Sequence, residues 1–208
     1  MPTKTFLRLP EEKRERFIDA AWAEFARTGF AETSIANIVK GAGIARGSFY
    51  QYFADKDDLF DYLQDILLKY LVSQYCHIMK TCDGDMFRTQ VACFDRVASL
   101  DHVPDVLFSR CTQMLRLNPG LLPRVAMEGK VICLLWDGVQ GVIETNSLRN
   151  QDSEFVSNVF ALTLVPLAVA VAGCLKDPAN TEKARQSLLL HLDIIKQGSL
   201  AESCRTEL

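Results

Sequence analysis

The sequence is poor in the residues that assemble catalytic and metal centres. It holds three histidines, His77, His102 and His191, and no Gly-rich phosphate loop, G-x-S-x-G or H-E-x-x-H. No catalytic set is therefore assembled, and a helical enzyme is the weaker alternative; it would need a pairing in space such as His102 with Cys111. Seven cysteines (76, 82, 93, 111, 133, 174, 204) include no C-x-x-C, and no close pair of them is matched by a spaced His pair. Cys76, His77 and Cys82 lack a tetrahedral-site spacing, so no metal and no other cofactor is expected. An odd, scattered set reads as reduced core thiols of a cytoplasmic protein. A cysteine-based redox sensor stays open as an alternative.

Net positive charge is also lacking. The formal net charge is −3, so the whole chain does not advertise a nucleic-acid partner. Its distribution says more: residues 1–56 carry nine Lys/Arg against seven Asp/Glu, and residues 57–208 carry fourteen against nineteen. A mildly basic head on an acidic body suits a DNA reader whose remaining mass should not stick to phosphate. The first residues, MPTKTFLRLPEEKRERF, contain no apolar stretch of the kind a secretory signal needs. Repeats, low-complexity tracts and strand-like alternation are missing as well.

One long apolar run is present. Phe155 to Leu175 is uncharged and long enough to span a bilayer. Ser157, Asn158, Thr163 and Pro166 interrupt it, and its flanks (Asp152, Glu154, Lys176, Asp177) show no positive bias. Such a segment is expected to form a helix buried in a bundle or subunit interface, with no membrane.

What remains is helical punctuation, and the fold class expected is all-α. Pro10 suits a first helical turn, with Glu11 and Glu12 at its positive end; Phe17, Ile18, Ala21, Trp22 and Phe25 recur at helical spacing until Gly29. Thr33 or Ser34 can cap a second helix that Gly41 and Gly43 end. A third covers about 45–52, and Asp55 caps a fourth that runs towards His77. Further helices are expected near 86–100, from Pro104 to about 117, and, after a Pro119-Gly120 turn, over about 122–148, 153–175 and 179–197.

The stretch Thr33 to Lys56, TSIANIVKGAGIARGSFYQYFADK, is the most specific feature. Two short helices joined by a Gly-containing turn make a helix-turn-helix, whose second helix can enter the major groove of DNA. Arg46, Ser48, Gln51 and Tyr52 would present donors and acceptors on its exposed side, while Phe49 and Phe53, four apart, anchor the opposite side. Gly47 removes a side chain where the backbone must come close to a phosphate or base edge.

These residues resemble the TetR family of bacterial transcriptional regulators. Ile38-Val39-x-x-Ala42-Gly43-Ile44 is similar to that family's second helix and turn. Gly47-Ser48-Phe49-Tyr50-x-Tyr52-Phe53-x-x-Lys56 is similar to its recognition helix, and Ala20-Ala21, Phe25 and Thr28-Gly29-Phe30 to the helix before. The resemblance covers about 60 residues and departs from the pattern at Val39, where Ala is usual, and at Ala45, where Ser or Thr is common. It implies residues 1–56 as a DNA-binding domain and 57–208 as an effector-binding and dimerisation domain. It implies that Arg46 and Gln51 contact bases. Thr33 and Ser34 would meet phosphate at a helix start, and Ser48, Tyr50, Tyr52 and Lys56 would grip the backbone. It further implies a repressor that binds a palindromic operator in double-stranded DNA as a homodimer, joined through about 153–197, and that a small-molecule effector releases. The stripe Leu188, Leu192 and Ile195 fits that interface. Phe94, Phe108, Cys111, Met114, Trp136 and Gln140 combine apolar bulk with polar handles and are the candidates for lining an effector pocket. Neither the effector nor its sign is legible.

Overall fold

The structure, a computed structural model, describes residues 1–99, 105–117 and 129–201. Among them every regular element is helical: α1 (Lys4–Leu7), α2 (Glu11–Glu32), α3 (Ile35–Ala42), α4 (Arg46–Tyr52), α5 (Lys56–Thr81), α6 (Met86–Ala98), α7 (Val106–Leu117), α8 (Lys130–Val139), α9 (Ser153–Lys176) and α10 (Thr181–Ser199), with a 3₁₀ turn at Pro178–Asn180. The expected all-α class is what the chain adopts. His102, Pro104, Pro119-Gly120, Cys204 and the proposed helix start at 122 lie outside the described residues.

The chain forms two compact units, Met1–Tyr70 with Asp105–Asn118, and Leu71–Pro104 with Pro119–Leu208. The first is built on aromatic rings. Phe6, Phe17, Phe49 and Phe53 are fully or almost fully buried, with ring centroids 4.9 Å apart for Phe6–Phe53 and 5.7 Å for Phe17–Phe53. Phe6 belongs to a segment the sequence pattern did not mark as helix. Thr3 caps that turn, its Oγ1 accepting from the Phe6 N–H, and the same hydroxyl donates to the Gln51 carbonyl at 2.6 Å. The N-terminus thereby fastens the end of α4. In the same unit α7 packs on α2, with Arg110 paired to Asp19 at 2.8 Å and Gln113 Nε2 donating to the Ala26 carbonyl at 3.1 Å.

The second unit packs α6, α9 and α10 together. Phe94, Phe160, Leu188 and Met79 fill its interior, and Arg185 makes a two-pronged pair with Asp95 at 2.8 and 3.2 Å. The helix expected to run to 148 stops at Val139, with Gln140 as its cap. Gly138 and Gly141 weaken helix at that point, and tertiary partners take the following backbone. Glu144 N–H bonds the Gly84 carbonyl, Arg149 N–H the Ser199 carbonyl, and Ala201 N–H the Ser147 carbonyl.

α9 is long and apolar enough to cross a membrane. One stripe of it, including Val156, Phe160, Thr163 and Cys174, is buried, while Leu162, Val165 and Val169 on another are 56%, 56% and 64% exposed. On α10 the buried positions are Leu188 and Leu192, with Ile195 half-buried; Leu190 and Ile194 are exposed. The stripe that periodicity nominated for a subunit interface therefore packs inside its own unit. Periodicity identifies an apolar face but not the neighbour that covers it.

Candidate nucleic-acid interface

The helix-turn-helix is held from both sides. Gly43 adopts φ 65° and ψ 36°, the left-handed conformation that ends α3, while its N–H and that of Ile44 return to the carbonyls of Lys40 and Val39. Arg16 Nε, from α2, donates to the Ala42 carbonyl at 3.0 Å. Gly41 lies so close to α2 that a Cβ there would sit 3.2 Å from the Ala20 Cβ. These ties set the angle at which α4 leaves the turn.

α4 then separates its residues by face. Phe49, Tyr52 and the following Phe53 are buried, whereas Arg46, Gly47, Tyr50 and Gln51 are exposed and Ser48 is half-buried. Ala45 caps the helix without a side-chain hydrogen bond. Nothing lies within 4 Å of where a Gly47 Cβ would be, so packing does not require glycine at that position. Tyr52 presses its ring on Phe6 and Phe17, with centroids 5.7 and 5.8 Å away. Its bulk serves the core.

At the start of α3 the sequence reading offered Thr33 and Ser34 to phosphate. The structure gives each an internal partner. The Thr33 hydroxyl donates to the Gly29 carbonyl at 2.5 Å, and the Ser34 N–H donates to Glu24 Oε1 at 3.2 Å. Glu24 also accepts from Asn37 Nδ2 at 2.9 Å and from the Arg27 guanidinium. Burial pushes its carboxyl up, but the donors Asn37, Arg27 and the Ser34 N–H, with the charge of Arg27, outweigh that and hold it below the usual value. Lys56 Nζ donates to the Phe30 and Ala31 carbonyls at 2.9 and 3.2 Å and lies 4.5 Å over the Phe30 ring. This lysine ties α5 to the end of α2. The sequence reading passed over Glu24 altogether. Its only signal was a carboxylate on an otherwise apolar face, between Trp22 and Phe25.

Residues 17–63 match the family model described as bacterial regulatory proteins, tetR family. The match covers the helix-turn-helix and its flanking helices and leaves the rest of the chain outside it. A curated relative, the HTH-type transcriptional repressor KstR2 of Mycobacterium tuberculosis, is 30% identical over 110 residues, which are 51% of this chain and 54% of that protein. The chain thus spans about half the length of that relative. A solved transcriptional regulator from Rhodococcus sp. Rha1 superposes with a TM-score of 0.62 at 19% identity, over 89% of this chain and 96% of that one. The SmeT-triclosan complex gives 0.61 at 14% identity, over 93% and 94%. At these identities the two structures show a shared fold.

The residues nominated for an effector pocket are not gathered in one unit. Phe108, Cys111 and Met114, all buried, belong to the first; Phe94, buried, Trp136, half-buried, and Gln140, exposed, belong to the second. Trp136 does meet Phe160, with ring centroids 5.7 Å apart. Beside that pair lies a buried polar cluster, Gln90 with Tyr75 and Thr163, that the sequence reading did not single out.

Proposed function

We infer that the protein is a ligand-responsive transcriptional repressor of the bacterial cytoplasm that binds a palindromic operator as a homodimer and is released by a small molecule. The observation that carries this is the division of α4: aromatic residues bury one side, and Arg46, Gly47, Tyr50 and Gln51 stand free on the other. An exposed arginine and glutamine one and a half turns apart, beside an unencumbered glycine, have no packing role and match guanine and adenine edges in a major groove. Tyr50 and Ser48 flank them as backbone contacts. Phosphate at the α3 start would meet the backbone around Ser34 together with the Glu24 carboxylate that already occupies part of it.

Two such helices read a palindrome only when held about one helical turn apart, ~34 Å. The exposed aliphatic positions of α9 and α10 supply an uncharged face of the kind that closes obligate dimers. Effector release follows from a population shift in which the ligand binds one state more tightly than the other. The SmeT structure contains triclosan, which fits a small apolar effector for this fold. Redox sensing is less well supported. Burial raises the Cys76 thiol and pushes those of Cys93 and Cys111 up to about 12, which disfavours the reactive thiolate at these positions.

The test is selection of bound DNA from a random pool, followed by gel-shift titration of variants. A palindromic consensus is expected, and Arg46→Ala and Gln51→Ala should each lose preference for it over scrambled DNA. Retention of that preference by both variants overturns the assignment.

A further inference from the structure

Gln90 on α6 is wholly buried and incompletely bonded. Its Nε2 donates to Tyr75 Oη and to Thr163 Oγ1, both at 2.8 Å, whereas its Oε1 is shielded from solvent and has no partner. The Thr163 hydroxyl spends its own hydrogen on the Phe160 carbonyl at 2.7 Å, so it cannot serve that oxygen. Tyr75 accepts from Gln90 and has no acceptor of its own among the described residues. One acceptor and one donor are thus left over within a single cluster. Turning the amide over would only move the deficit: its NH₂ would then lack partners at the same spot. Buried polar groups in folded proteins are bonded to protein, water or ligand, and an exception calls for an explanation.

The surroundings define what could complete the bonding. Tyr75 and Trp136 both pack against Phe160, with centroids 6.0 and 5.7 Å away, and Phe94 follows Gln90 by four residues on the same face of α6. No charged side chain takes part in the cluster's hydrogen bonds. Burial also holds the Tyr75 phenol well above its ordinary value, the mark of a setting hostile to charge. Aromatic walls with a few convergent polar atoms are the composition of small-molecule sites.

We propose that Gln90, Tyr75 and Thr163 form the polar anchor of the effector site, and that the ligand is an uncharged apolar molecule bearing a hydroxyl, which donates to Gln90 and accepts from Tyr75. The proposal rests on the effector-responsive reading above and specifies its ligand class. Tyr75 stands on α5, the helix whose first residue, Lys56, holds the end of α2 in the DNA-binding unit. Occupation of the anchor bears directly on that helix.

The test uses the full chain and paired probes that differ by one group: phenol against toluene, and 2-naphthol against naphthalene and 2-naphthoate. Binding is read by calorimetry without DNA. The hydroxylated member of at least one pair is expected to bind tenfold or more tightly than its hydrocarbon, with 2-naphthoate no better than naphthalene. Gln90→Met, which keeps volume and removes the amide, should bring the pair within twofold. Should Gln90→Met not fold, Tyr75→Phe and Thr163→Val, each the loss of one polar atom, carry the same expectation of a preference reduced at least threefold. No saturable binding, equal binding within both pairs, or a preference that survives the substitutions overturns the proposal. A buried water alone as partner of Gln90 would give the second of these results. Operator binding by the ligand-free variants is measured separately. Palindrome binding without hydroxyl discrimination sinks the anchor and spares the regulator; discrimination without DNA binding does the reverse.

Discussion

Glycine and carboxylate positions in the head show how little of a residue's role lies in its own propensity. Gly47 occupies a helix, where alanine is favoured by up to about 1 kcal/mol, and open space surrounds it. Gly47→Ala should therefore raise the melting temperature by about 2 °C while weakening operator binding by tenfold or more, ~1.4 kcal/mol. A thermal melt and a gel shift on the same sample check both halves, and unchanged DNA affinity would show that the space is idle. Glu24 works in the opposite sense, since it is buried and joined to Ser34, Asn37 and Arg27. Arg27 is itself 61% exposed, so the ion pair contributes little and the hydrogen bonds most. Glu24→Gln should destabilise the protein by about 1 kcal/mol near neutral pH. Because the folded-state carboxyl is held below its ordinary value of 4.5, its contribution is complete above that pH and fades as pH falls through the folded value. The gap between wild-type and variant melting temperatures should accordingly close on acidification below about pH 4.5.

At the scale of elements, the turn between α5 and α6 depends on one backbone approach. Gly84 adopts φ 78°, and a Cβ there would lie 2.1 Å from the Val142 carbonyl oxygen and 2.8 Å from the Glu144 nitrogen. Gly84→Ala should cost about 2–4 kcal/mol, combining left-handed strain with a clash against backbone that cannot swing aside. A denaturant titration followed by circular dichroism measures it, and a loss under about 1 kcal/mol would mean that the 140–148 segment yields readily. The same contact explains why α8 ends early. The N–H groups of Val142 and Ile143 still turn back to the Val139 carbonyl, but that of Glu144 goes to the Gly84 carbonyl, and the helical pattern is not continued.

For the molecule as a whole, the homodimer proposed above would join through the exposed residues of α9 and α10 rather than through the buried ones. Leu162→Lys combined with Val169→Lys should leave the melting curve within about 0.5 kcal/mol of wild type, as surface substitutions do, yet convert dimers to monomers in light-scattering chromatography. Operator affinity should fall with the dimer, because a single head lacks its second half-site. Leu188→Ala should do the converse, costing about 2–5 kcal/mol of stability through a cavity in the unit's core. A dimer that survives both lysines places the interface elsewhere.

Apart from the short α1, the presence of the described helices was legible along the chain, as was the buried side of α4 at Phe49 and Phe53, which recur at four; Tyr52, expected on the exposed side, packs inward on Phe6 and Phe17 instead. Partners distant in sequence were not legible. Only the folded chain brings Glu24 to the start of α3, Lys56 to the end of α2, and Phe6 against α4. Tertiary structure likewise turned Leu188 and Leu192 inward, left Leu190 and Ile194 outside, and gathered Gln90 with Tyr75 and Thr163 from three helices. The physical reason is common to all of these. Periodicity states which residues share a face, whereas burial and hydrogen bonding depend on what that face meets, and contacts between distant segments are determined only when the whole chain has packed.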